Sequence, residues 1–334
     1  MADTEDTLRV LSNLPRVERI ELPRGVTHTS LADAPYGELA KAYLTDSAEP
    51  RCFVFNGLSR KVWLLSLLKA LRPNAKRKLV VIDLILSVPT SFRDRVVAVL
   101  RRMLLSRVDL FISYARNTEG IQEIYRVPAS RFRYVPFKIN NPEIIEELEP
   151  RDGGYILVAG QTRRDFATFR KAIEGLSLPV RIVAPAQEVL ARHGSNLSPD
   201  GWPDEVVCIR DATGPKKFLP EVAGARLVVL PIVTENITPS GIGVCLVAMG
   251  LHKCVIVSAG PVSDGMMEDG QAIVVPAGDP VALREAIVAA WEDDTFRNDT
   301  AQRGFEYATS LGDENRLHRD MFDAIVDLCR SPSH

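Results

Sequence analysis

The clearest chemistry in this chain lies in a polar loop between an apolar run and an apolar helix. Residues 227–232 form an unbroken apolar stretch of the kind that builds buried parallel strands. The loop 234–241 follows, ending in Thr238-Pro239-Ser240-Gly241, and 242–251 reads as a short apolar helix. A glycine loop that opens onto a helix presents free N–H groups and the positive end of the helix dipole to one point in space. Thr238, Ser240, Gly241 and Ile242 are therefore candidates for holding a phosphate or pyrophosphate, Ser240 adding a hydroxyl donor; the plain alternative is an ordinary turn. Glu235 and Thr238 are placed to meet sugar hydroxyls, or are simply solvated. A second cluster, Gly160-Gln161-Thr162-Arg163-Arg164-Asp165, follows the apolar run 155–159. Arg163 and Arg164 would stand at the carboxyl edge of a sheet, where ligands enter open α/β folds. There one guanidinium can clamp a diphosphate and offset the charge that grows on a departing group. The pattern does not say which arginine does so, and the alternative is an arginine paired with Asp165 at a helix cap. Asp83 comes near the end of the strand expected over 79–84, after a purely apolar approach, and either faces a ligand as a catalytic carboxylate or caps the next loop. Asn56 and Gly57, also at a strand end, are candidates for lining an acceptor pocket.

The stretch 248–283 adds motifs in a fixed order: Ala248-Met249-Gly250-Leu251-His252-Lys253, Val255-Ile256, Glu268-Asp269-Gly270, and Val275-Pro276-Ala277-Gly278-Asp279-Pro280-Val281-Ala282-Leu283. Together they resemble the donor-binding half of the retaining, nucleotide-sugar-dependent glycosyltransferases of GT-B fold (family 4/group 1 type). The resemblance runs from about Tyr155 to about Tyr307. It implies two Rossmann-like parallel-sheet domains facing a central cleft, and transfer of a sugar from a nucleotide-diphosphate donor without a metal or a separate cofactor. With the charge and cysteine usage read below, the expectation is a cytoplasmic protein, peripheral on the inner face of the membrane, acting on a lipid-linked or cell-envelope glycan. In that family a glutamate precedes the Ala-Met pair and holds the ribose, with a second glutamate eight positions earlier. This chain has Val247 and Pro239 there, and a valine accepts no hydrogen bond. That departure keeps open a non-catalytic GT-B-like subunit or scaffold; a nucleotide-sugar epimerase of the same fold is a further alternative.

These candidates need elements to position them. The 334 residues suffice for two domains with separate cores, and 46% hydrophobic with 25% charged residues is ordinary for a globular chain. Strands at 52–56, 79–84, 110–113 and 133–136 alternate with helices at 61–71, 92–105 and 119–125, the rhythm of a parallel sheet with crossovers. Residues 8–11 and 17–22 read as short strands and 36–44 as a helix. The Pro- and Glu-rich stretch 140–152 suits a linker, dividing the chain into an acceptor domain, 1–148, and a donor domain, 149–310. The last helix, within 311–334, would cross back to the first domain. Asp279 is expected to cap the helix that follows it.

Charge and cysteine usage narrow the partners. The net charge of −2 and the absence of a recognition motif or stacking ladder argue against nucleic acid. Yet residues 59–107 hold twelve basic side chains against Asp83 and Asp94, a net +10. Both helices in this segment also carry apolar faces, with Trp63, Leu67 and Leu71 on one and Phe92, Val96, Val99, Leu100 and Met103 on the other. Such a segment fits an anionic membrane surface, or its apolar faces pack on the sheet while the cations are solvated. Five scattered cysteines without paired spacing read as buried, reduced thiols, with no metal site. No run of about eighteen apolar residues occurs.

Overall fold

A computed structural model describes residues 7–46, 49–210, 212, 214–267 and 269–330; Glu268, in the turn noted above, lies outside the described residues. The chain divides into two compact units, Met1–Pro136 with Glu314–His334, and Phe137–Asp313.

The first unit is a six-stranded sheet of β1 (Leu8–Ser12), β2 (Val26–Ser30), β3 (Arg51–Asn56), β4 (Arg77–Ile82), β5 (Leu110–Ser113) and β6 (Phe132–Tyr134), in the order β2-β1-β3-β4-β5-β6. Every pair is parallel. The central strands are apolar on both faces: Cys52–Phe55, Val80–Ile82 and Phe111–Ile112 are all at most 1% exposed. Helices α1 (Tyr36–Leu44), α2 (Arg60–Leu71), α3 (Phe92–Leu105) and α4 (Glu119–Tyr125) make the crossovers. A capping box fixes the start of α3, with Ser91 and Asp94 each satisfying the other's backbone N–H.

Residues 17–22 are not the expected strand. Pro15 and Pro23 bracket them, Arg16 is left-handed at φ 60°, and the chain makes a single 3-10 turn at Val17–Arg19. The strand lies later, at Val26–Ser30, where Val26 alone is fully buried, so its sequence signal is weak. The apolar positions of α3 also fail to pack. Only Ala98 and Leu105 are buried, while Phe92 is 83% exposed and Met103 65%.

The second unit opens with a one-turn helix, α5 (Pro142–Ile145), inside the stretch that reads as a linker. The division thus falls after Pro136 rather than after residue 148. Its sheet comprises β7 (Ile156–Ala159), β8 (Val180–Val183), β9 (Val206–Ile209), β10 (Leu227–Leu230), β11 (Cys254–Ser258) and β12 (Ile273–Val275). The order is β12-β11-β10-β7-β8-β9, again parallel throughout. Helices α6 (Phe166–Ile173), α7 (Gln187–Arg192), α8 (Pro215–Ala223), α9 (Ile242–Gly250), α10 (Pro280–Glu292) and α11 (Asp294–Ser310) complete it. One face of β7, β8, β10 and β11 forms a core with Phe166, Phe169, Leu283 and Ile287. Asp279 caps α10, Oδ1 accepting from Val281 N at 2.9 Å and Ala282 N at 3.0 Å. The last helix, α12 (Glu314–Arg330), belongs to the first unit and buries Leu317, Met321, Phe322 and Ile325 there.

Cys52, Cys245 and Cys254 are buried thiols. Cys208 is exposed and Cys329 partly so, against the expectation for all five, because Cys208 lies on the edge strand β9. No described helix is long and apolar enough to cross a membrane.

Candidate functional site

In the second sheet the strand order reverses between β7 and β10. In open α/β sheets that reversal leaves a crevice beyond the carboxyl ends of the two strands. Both clusters picked out in the sequence are the loops at this point: Gly160–Asp165 leaves β7, and 231–241 leaves β10. The loops are zipped together. Arg164 bridges Ile232 in antiparallel fashion, Asp165 N donates to Pro231 O at 2.9 Å, and Val233 N donates to Arg163 O at 3.1 Å.

The zipper decides between the two arginines. Arg163, left-handed at φ 55°, lays its guanidinium over Gly194, where a Cβ would lie 3.2 Å from Arg163 Cζ. It does not line the cavity described below. Arg164 turns inward and is 2% exposed. Its Nε donates to Ala159 O at 2.7 Å and its Nη1 to Thr162 O at 2.8 Å, while its backbone N donates to Ser195 Oγ at 2.7 Å. Among the described residues Nη2 has no hydrogen-bond partner and no carboxylate pairs with the guanidinium. Burial pulls its pKa down to about 10, so it remains a cation at neutral pH.

Two glycines make room for this cation. Gly160 (φ 105°) and Gly241 (φ 97°) both adopt backbone that L side chains rarely reach. A Cβ on Gly160 would lie 2.9 Å from Arg164 Cζ, and one on Gly241 3.1 Å from Arg164 Nη2. Gly241 is also the residue before α9, which has no side-chain cap. Cys245 N is the first to bond back, to Gly241 O at 2.9 Å, which leaves the N–H groups of Gly243 and Val244 unpaired among the described residues. Ile242 is buried, its N–H reaching Pro239 O at 3.4 Å.

These groups border a cavity of about 330 Å³. Its lining combines Gly160, Arg164, Gly241 and Gly243 with apolar Val183, Pro185, Ala212 and Phe218, and with the neutral polar side chains of Gln161 and Thr162. A cation, free N–H groups and apolar walls in one cavity suit a ligand that joins an anion to a flat ring.

Other sequence candidates take different places. The hydroxyls of Thr238 and Ser240 turn to Asn236 Oδ1, at 3.0 and 3.1 Å, and lie 3.1 Å from each other. Both are buried and brace the loop without lining the cavity. Glu235 is exposed in the same loop. Val247, in the ribose position of the resemblance, is 3% exposed, and no described residue lining the cavity is acidic. Asp165 caps α6 through Thr168 N at 2.9 Å.

Sequence reasoning missed Lys138 and Asn140. A Cβ on Gly243 would lie 3.1 Å from Asn140 Nδ2, and Lys138 Nζ donates to Asn140 Oδ1 at 3.3 Å. Lys138 is only 8% exposed, so a second buried cation stands beside the start of α9. Its one signal was a lysine between Phe137 and Ile139, an expensive residue in an apolar run.

Asp83 belongs to the first unit, just past β4, left-handed at φ 52°. Its N–H bonds Ile112 O at 2.9 Å, and its carboxylate has no hydrogen-bond partner among the described residues. Burial raises its pKa to about 6. Tyr114, at the end of β5, is pushed up by burial and by the Asp83 charge. Asn56 N donates to Asn13 Oδ1 at 2.7 Å, tying β3 to β1 where the order of the first sheet reverses.

No protein-family model and no curated protein sequence matches the chain. Solved structures do. Sucrose-phosphate synthase from Thermosynechococcus elongatus superimposes with a TM-score of 0.65 at 16% identity, covering 96% of this chain and 89% of that one. Anabaena HepE, solved in complex with UDP and glucose, gives 0.62 at 15%, covering 90% and 86%. The apo structure of OtsA gives 0.62 at 10%, covering 98% and 100%. The chain has the GT-B fold. The two parallel sheets expected from the sequence are those of this fold, and the cavity beside Arg164 lies at the order reversal of the second of them.

Proposed function

We propose that this chain is a glycosyltransferase that draws its sugar from a nucleoside-diphosphate sugar held in the second unit. One observation carries the reading: a buried, uncompensated guanidinium and the open start of α9 converge on one cavity at the order reversal. Burying a lone charge costs several kcal/mol, a cost that an anion beside it offsets. The diphosphate lies at Arg164 and the N–H groups of Gly243 and Val244, with Gly160 and Gly241 giving it close approach. The base lies against Val183, Pro185 and Phe218. Hydrogen bonds to the diphosphate strengthen as the glycosidic bond breaks and charge gathers on the leaving group. HepE was solved with UDP, which makes UDP sugars the first donors to test.

The acceptor is a lipid-linked or envelope glycan, handled by the first unit, with Asp83 as the carboxylate that takes up a hydroxyl proton. The surface of α2 and α3 supports this half. Phe92, Val96, Val99, Leu100 and Met103 form an exposed stripe on α3, and Leu67 and Leu71 are exposed on α2. Arginines at 60, 72, 93, 95 and 101 surround them. An apolar stripe with a basic rim inserts at the surface of an anionic membrane.

Thermal-shift titration with UDP, GDP and ADP, with and without sugars, tests the donor half. At least one nucleoside diphosphate should raise Tm saturably, and release of the free nucleotide should require an acceptor. Indifference to every nucleotide would sink the reading. A second reading, a non-catalytic subunit, is favoured by Val247 and the acid-free cavity wall; it predicts binding without turnover.

A further inference from the structure

A second cavity, of about 240 Å³, lies at the opposite, amino-terminal edge of the second sheet. The residues just before β7, β10 and β11 supply Arg151 with Asp152, Arg226, and His252 with Lys253; α11 adds Arg297 and Asn298. Four permanent or near-permanent cations therefore stand against two carboxylates, Asp152 in the lining and Asp294 outside it, the latter bonded to two of the cations. Both carboxylates are already engaged: Arg226 bonds each of them, and Arg297 Nη2 bonds Asp294 at 2.7 Å.

The remaining donors are unspent. Lys253 is 5% exposed, yet its ammonium makes one hydrogen bond, to Arg151 O at 2.9 Å, and no ion pair. Two of its three N–H groups have no partner among the described residues. Burial draws its pKa down to about 8, against the upward pull of the Asp152 charge. Arg226 Nε is buried without a partner. The Arg151 guanidinium, exposed at the mouth, also has none among the described residues. Buried donors left unpaired are costly, and here several line one cavity. The net excess of two positive charges matches a dianion. The volume falls below the range of about 300–1,000 Å³ typical of drug-sized ligands, which points to a small one.

We propose that this cavity binds a phosphate dianion, free or as a small phosphomonoester, at Lys253, Arg151 and Arg226. The site is separate from the nucleotide cavity, because the two lie at opposite ends of the same strands. It does not depend on the glycosyltransferase reading.

The test is calorimetric and thermal-shift titration of the whole protein with inorganic phosphate and with glycerol 3-phosphate, against chloride at matched ionic strength. Saturable binding of phosphate is expected in the wild type and equally in Arg164→Met, which disables the nucleotide cavity. Arg151→Met and Lys253→Met should each weaken it by about tenfold or more, the loss expected for one hydrogen bond from a charged group. Arg151 is exposed, so its variant folds even if Lys253→Met does not. A preference for glycerol 3-phosphate over phosphate identifies the monoester as ligand, and equal affinity identifies the free ion. Two results would overturn the proposal: phosphate effects no greater than those of chloride, or binding abolished by Arg164→Met and untouched by Arg151→Met.

Discussion

Replacing Arg164 with methionine probes the proposed donor site at its most charged point. Methionine keeps much of the apolar stem and loses the fork of donors. Burial holds the Arg164 pKa down to about 10, and a depression of that size corresponds to about 3 kcal/mol by which the fold disfavours the charged form. A diphosphate beside the guanidinium recovers that cost, so about 3 kcal/mol of its binding energy depends on this side chain. Nucleoside diphosphate affinity should then fall by about two orders of magnitude in Arg164→Met. Folding responds differently. The variant removes an uncompensated buried charge but strands the carbonyls of Ala159 and Thr162, two effects of similar size and opposite sign. Without nucleotide its Tm should stay within a few degrees of wild type. Calorimetry reads the first quantity and thermal melting the second. If nucleoside diphosphates bind Arg164→Met within threefold of wild type, the anion does not sit at this guanidinium and the reasoning fails.

Three further outcomes follow from particular residues. Gly160→Ala sets a Cβ 2.9 Å from Arg164 Cζ at φ 105°, so it should cost about 1–3 kcal/mol in urea melts and abolish nucleotide binding. Asp83, an acid whose folded pKa is raised to about 6, weakens the fold as pH climbs from its unfolded value near 4 and fully above 6. Asp83→Asn should therefore stabilise the protein at pH 7 by about 1–3 kcal/mol, with no gain below about pH 4. The same substitution should erase an acidic limb near pH 6 in the rate profile; an unchanged limb would remove Asp83 as the proton acceptor. Sedimentation with anionic vesicles should retain the wild type and release a Phe92→Glu, Met103→Glu double variant. Equal binding to neutral vesicles would contradict the role given to the basic rim.

Local features carried the architecture into the sequence. Apolar runs such as 79–82 and 227–230 read as strands buried on both faces, and the helices between them imply parallel crossovers. Asp279 ahead of Pro280 specified a helix start through bonds within three residues of itself. Gly241 before an apolar helix likewise marked the proposed anion site without any distant contact. Edge elements were less legible. β2 buries one residue fully, so no periodicity distinguishes it, and Val17, Ile20 and Leu22 made 17–22 look like a strand that the flanking prolines do not permit.

Tertiary contacts settled the questions that turn on direction. Arg163 and Arg164 are equivalent in sequence, and only the zipper with Ile232 and Val233 turns one to Gly194 and buries the other between Gly160 and Gly241. Ser240 had the right type for a phosphate ligand, but Asn236, four residues earlier, takes its hydroxyl. Asn140, held by Lys138, reaches Gly243 from about a hundred residues away, a proximity no local pattern encodes. The apolar stripe of α3 could have been core or a membrane-facing surface, and only the finished packing shows that no described residue covers it. Residue type and spacing set what each group can do; which groups meet depends on how strands far apart in the chain come to lie side by side.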